Sequence, residues 1–184
     1  MPYRQWLGIW LLLVTLLPLS ATAEEGAEDK NEGFSKEQVM EKAGAFFGET
    51  SKGLASAIEK VFEEQGEPNA IVVGEEVSAA IVVGLRYGRG ELQMLDGETR
   101  AIFWQGPSVG FDMGGNASKV FTLIYNLDDA ETLYQRFPGV EGGVYYAAGV
   151  GVNYLRSGDT VVAPIRTGVG LRTGANVGYL QFTK

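Results

Sequence analysis

A chain of 184 residues with no His and no Cys offers no imidazole base, no thiolate nucleophile, no disulfide and none of the ligands that zinc and copper prefer. Its formal charge of −8 argues against nucleic acid as a partner, and at this length one domain buries about 68–70% of its unfolded surface without cross-links. Carboxylates, Lys, Tyr and hydroxyls remain for catalysis, but no cation loop such as D-x-D-x-D-G is present, so no metal and no cofactor are expected.

Arg4 and the amino terminus precede an apolar run from Leu7 to Leu17, Pro18 ends it, and Ala21-Thr22-Ala23 supplies the small-x-small pattern that signal peptidase cuts. The run is too short for a bilayer core that needs about 20 helical residues. Residues 1–23 are therefore expected to be a signal peptide, the mature chain to start at Glu24, and the protein to be soluble and periplasmic, with no Cys behind the cleavage site to take a lipid. The mature chain carries 14 Lys and Arg against 23 Asp and Glu, a formal charge of −9. Five of those acids are Glu24, Glu25, Glu28, Asp29 and Glu32, so residues 24–33 read as an acidic disordered leader. Residues 34–184 read as a single domain.

That domain opens with helix signals. Ser35 and Gln38 form a capping box, Val39, Ala43, Phe46 and Phe47 make an apolar stripe, and Gly48 stops the helix. A second helix starts after Thr50 or Ser51, shows Leu54, Ile58, Val61 and Phe62 on one face, and ends at Gly66 with Pro68 beyond. Both are expected to pack on the sheet that follows. From Ala70 the pattern turns to β, with about ten short strands near 70–76, 78–87, 90–95, 100–105, 108–114, 119–126, 143–154, 159–166, 168–173 and 176–183. Turns are expected at Asp96-Gly97, Gly115-Asn116 and Ser157-Gly158. One helix interrupts the series near 128–137, opened by Asp128 with Glu131 and closed by Pro138-Gly139. The fold class is mainly β: a small antiparallel barrel with two amphipathic helices before it.

Glycine is abundant, 26 residues, and recurs at even spacing within strands: Gly84, Gly88 and Gly90; Gly110 and Gly114; Gly149 and Gly151; Gly168 and Gly170. Residues two apart share a face, so these strands have one bare face. The other carries Leu85 and Tyr87; Val109, Phe111 and Met113; Ala148, Val150 and Val152; Val169 and Leu171. Each strand glycine costs roughly 0.5–1 kcal/mol relative to Ala, so sharp curvature, a close helix or a ligand approaching the backbone should offset it.

Gly168-Val-Gly-Leu-Arg-Thr-Gly174 is one residue too long for a dinucleotide loop and leads into no helix, so the phosphate-binding mechanism is missing. Glu75 and Glu76 point to opposite faces of a strand and cannot flank one sugar bond. Asp112 lies mid-strand on a glycine face, as do Arg86, Arg166 and Arg172, and a structural Asp–Arg pair is expected there.

At Leu85-Arg-Tyr-Gly-Arg-Gly, Phe103-Trp-Gln-Gly-Pro-Ser-Val-Gly-Phe-Asp-Met-Gly-Gly, Tyr134-Gln-Arg-Phe and Pro164-Ile-Arg-Thr-Gly-Val-Gly the chain resembles the EipA family of periplasmic proteins associated with cell-envelope integrity. The resemblance covers nearly all of residues 34–184 and implies a small β-barrel around a hydrophobic pocket, with no established enzymatic activity and no catalytic residues to carry over. A remoter likeness links Trp104–Gly115, Val120–Asn126 and Val144–Val152 to the SYLF lipid-binding domain.

The expected function is a non-enzymatic periplasmic module that holds a lipid or other hydrophobic envelope molecule. The candidate wall is Trp104, Phe111, Met113, Tyr146, Val150, Val152, Val169 and Leu171. A second reading is a solid barrel whose surface recruits an envelope protein partner. A third is a small integral outer-membrane barrel, against which the two leading helices and the lack of aromatic girdles argue.

Overall fold

The first strand sets the shape. A computed structural model of the chain describes residues 33–48, 51–112, 117–167 and 178–184, with backbone alone at 79–83 and 108–112. Strand β1 runs over Ala70–Met94, 25 residues, which drawn straight would span about 80 Å. Instead its ends meet, and the Leu95 N–H donates to the Asn69 carbonyl at 3.1 Å. Ala70–Glu76 pairs with β3 (Ser118–Tyr125) and Ala80–Gln93 with β2 (Thr99–Asp112). The strand thus doubles back and acts as two staves of the wall. Where its halves pass, a Cβ on Gly74 would collide with the Arg89 carbonyl and one on Gly90 with the Val73 carbonyl. Only glycine permits that approach.

The remaining strands are β4 (Arg136–Ala147), β5 (Val150–Ser157), β6 (Thr160–Thr167) and β7 (Tyr179–Thr183). The described residues close an all-antiparallel barrel in the order β1-β2-β7-β4-β5-β6-β3, so the expected barrel is present with seven strands where about ten were expected. Segments 70–76, 78–87 and 90–95 are one strand, continuous through the close approaches at Gly74, Gly88 and Gly90. Segments 100–105 and 108–114 likewise merge into β2. The segment 143–154 is two strands, since Ala148 and Gly149 take φ of 45° and 83° and turn the chain. The expected strand at 168–173, the Gly115-Asn116 turn, the signal peptide and all of the acidic leader but Gly33 lie outside the described residues.

Helices α1 (Lys36–Phe47) and α2 (Lys52–Gln65) form as the sequence predicts. The Ser35 hydroxyl accepts from the Gln38 N–H and the Gln38 side chain accepts from the Ser35 N–H at 2.8 Å, while Ser51 caps α2. The helix expected near 128–137 is a single 3₁₀ turn, Ala130–Leu133, capped by Asp129 rather than Asp128. Phe137 explains the difference: it is fully buried and already in β4, paired with Leu180. A stretch this short cannot recover the cost of nucleating a helix.

Alternation along the strands builds two cores. Inward residues Val72, Leu92, Ile102, Val120, Ile124, Phe137, Val162, Leu180 and Phe182 fill the barrel together with Leu133, and Phe137 meets Phe182 edge-on with centroids 5.9 Å apart. Outward residues Ile71, Phe121, Leu123, Val150, Val152, Val161, Ala163 and Ile165 take the apolar faces of α1 and α2. Strands covered on both sides read as continuous apolar runs for this reason. An apolar interior with helices over part of the outside is the reverse of a transmembrane barrel, whose lumen is polar. No helix among the described residues is long and apolar enough to cross a membrane.

Candidate functional site

The apolar filling of the barrel gives way to charge along the inward row of β1. That row runs Val72, Gly74, Glu76, and Glu76 is buried, 6% exposed, while Glu75 beside it is exposed. Arg166 reaches Glu76 from β6, with Nε 3.1 Å from Oε1 and Nη2 3.0 Å from Oε2. Its cross-strand neighbours are Val120 and Gly151. Trp104 on β2 donates its indole N–H to Oε2 at 2.9 Å. Arg86, on the returning half of β1, brings Nη1 to 3.5 Å from Oε1 and donates Nε–H to the Pro107 carbonyl at 2.9 Å. Both oxygens of the Glu76 carboxylate thereby accept hydrogen bonds, with Arg86 as a second ion-pair partner.

Glycine makes the indole fit. Trp104 lies across Gly88, its partner in the β1–β2 ladder, and a Cβ there would run into the ring. On this half of β1 the bare face is therefore the inward one and the large face the outward one: Leu85 and Tyr87 are 55% and 51% exposed.

Burial alone would raise the Glu76 pKa, but Arg166, Arg86 and the Trp104 N–H together hold it below the ordinary carboxylate value. Burial, and then repulsion from Arg166, pull Arg86 down to about 10, with Glu76 and Tyr146 opposing. Arg86 is still a cation at neutral pH. The described residues of this cluster thus hold two guanidinium groups against one carboxylate. Arg86 keeps 22% of its side chain open, against 10% for Arg166.

The candidate wall residues divide among several places. Trp104 is inside the barrel and 3% exposed, and Tyr146 is 44% exposed on β4, within electrostatic reach of Arg86. Val150 and Val152 are buried on the outer side of β5 beneath the helices, so they do not share a wall with Trp104. Phe111 is paired with Ile81 in the β1–β2 ladder, but its side chain lies outside the described residues, as does that of Asp112. Met113, Val169, Leu171 and Arg172 lie outside them altogether. Of the arginines expected to meet an acid, Arg86 and Arg166 do so at Glu76. Continuing the Val72–Gly74 alternation by one more step would have found that residue.

The chain matches the model of the family of envelope integrity protein A over residues 32–184. It is similar to a solved β-barrel-like, uncharacterized protein from Brucella abortus, with 48% identity over 83% of this chain and 94% of that one and a TM-score of 0.75. No curated protein matches. With the family's model spanning both helices and every strand of the barrel, the chain belongs to the EipA family, the envelope integrity protein A family.

Proposed function

We propose that this protein is a non-enzymatic periplasmic factor in cell-envelope integrity that binds a lipid or another hydrophobic envelope molecule at the Glu76–Trp104 end of its barrel. The observation that carries this reading is the composition of that end. The apolar filling stops at an indole and an ion cluster, and a partly open arginine and an exposed tyrosine follow in place of another hydrophobic layer. Strand β2 ends at Asp112 and β6 at Thr167, one residue past Arg166, and Ser118, the first residue of β3, pairs with Glu76. Ligand sites combine an apolar lining with a few placed polar groups in this way. Native mass spectrometry and solvent extraction of protein taken from the periplasm should show a co-purifying amphiphile. A mass equal to the bare polypeptide and an empty extract would refute the reading.

A second reading, recruitment of an envelope protein partner, is favoured by one observation. Leu85, Tyr87 and Phe103 lie exposed on the outer face of the β1–β2 ribbon, an apolar strip of the kind that marks interaction surfaces. Replacing all three by Ser should then abolish partner capture and leave any bound amphiphile in place.

A further inference from the structure

The ion cluster also specifies the chemistry of the head group. We infer that the end of the barrel takes an anionic oxygen group, the carboxylate or phosphate of an amphiphile, on Arg86. This inference rests on the lipid-binding reading and adds to it which amphiphiles are selected.

A single carboxylate cannot serve two buried guanidinium groups equally. Glu76 spends both oxygens on Arg166, in a two-point fork, and one of them also on the Trp104 N–H. Among the described residues Arg86 has only the longer 3.5 Å approach and one bond to a backbone carbonyl. A guanidinium carries five N–H donors in a fixed fork, so the described residues leave Arg86 donors to spare, and it is the more open of the two. Held in a site of low dielectric with Arg166 adding to its field, a free fork of this kind matches a carboxylate or phosphate in charge and in geometry. Trp104 shares the Glu76 carboxylate with Arg86, and Tyr146 lies within electrostatic reach. A neutral head group would satisfy the donors and leave the second positive charge of the described cluster uncompensated.

The test is calorimetric titration of delipidated protein with dodecanoate, dodecyl phosphate, dodecyl maltoside and inorganic phosphate. Both anionic amphiphiles should bind at least about 10-fold more tightly than the maltoside, the energy of one charge-assisted hydrogen bond. Arg86→Met should remove that advantage while Arg86→Lys keeps most of it, and melting curves should show both variants folded. Equal affinity for maltoside and dodecanoate would overturn the head-group inference and leave lipid binding standing. Inorganic phosphate bound through Arg86, with no chain-bearing ligand bound, would keep the anion site and refute the lipid reading. Should the wild type show no anionic preference and Asp112→Asn gain one, Asp112 already fills the place of the anion, and the inference fails.

Discussion

Glu76→Gln is the sharpest perturbation of this protein, because it removes one negative charge and leaves two guanidinium groups facing each other in the barrel interior. At an effective dielectric near 20, a unit pair about 4 Å apart is worth roughly 4 kcal/mol, and Glu76 makes one contact at 3.0 Å and one at 3.5 Å. Part of that attraction offsets the cost of desolvating three ions, so the net loss should fall at about 3–5 kcal/mol, as for other broken buried pairs. Taking about 4 kcal/mol, and about 2–4 °C per kcal/mol at this chain length, Tm at neutral pH should drop by about 8–16 °C. Differential scanning calorimetry and urea unfolding would read it, with the urea slope unchanged. The folded pKa of Glu76 lies below its ordinary value of 4.5. The stabilisation is therefore complete above that value and is lost as pH falls through the lowered one. The Tm gap between wild type and Glu76→Gln should accordingly narrow on acidification from about pH 6 to about pH 3. A gap under about 2 °C at neutral pH, or one that widens with acid, would refute the reasoning.

The arginines should separate. Arg166→Met should cost about 3–5 kcal/mol by removing the closer partner of Glu76, whereas Arg86→Met, which loses one hydrogen bond and the longer 3.5 Å ion pair but relieves a repulsion, should cost no more than about 1.5 kcal/mol in urea denaturation. Gly88→Ala should destabilise by about 1–3 kcal/mol or more by driving a Cβ into the Trp104 ring, visible as a change in near-ultraviolet circular dichroism. Asn69 ties the start of β1 to Leu127, donating to its carbonyl at 2.9 Å and accepting from its N–H at 3.2 Å. Asn69→Ala should cost about 1–3 kcal/mol by thermal melting, and an unchanged melt would show that the tie is dispensable.

Local signals were legible in the residues, and long-range ones were not. Ser35 with Gln38, and Ser51 before Leu54, announce helices because a cap is settled within one turn. Asp96-Gly97 and Ser157-Gly158 announce hairpins for the same reason. The doubling of β1 depends on contacts across the barrel, Gly74 against Gly90 and Gly88 against Trp104, so its glycines look like strand breaks when read in order. The Ala148 turn is hidden because a non-glycine residue takes the left-handed φ. At the site, Trp104 and the pairing of Arg86 and Arg166 with an acid were foreseeable. The Val72–Gly74 alternation places Glu76 on the inward row, but that it meets both arginines is settled by which rows of three strands converge. Val150 and Val152 read as a pocket wall because apolar residues facing a helix and apolar residues facing a lumen have the same alternation.

Trp104 gives the most direct test of ligand binding at this end of the barrel. The other two tryptophans, Trp6 and Trp10, precede the expected cleavage after Ala23, so a processed protein whose first residue is Glu24 by Edman sequencing has one indole, at the proposed site. Titration of that protein with a bromine-labelled fatty acid should quench its fluorescence saturably at one equivalent, and unlabelled dodecanoate should reverse the quenching. Quenching that is absent, or that rises linearly without saturation, would place the hydrophobic ligand elsewhere and contradict the account.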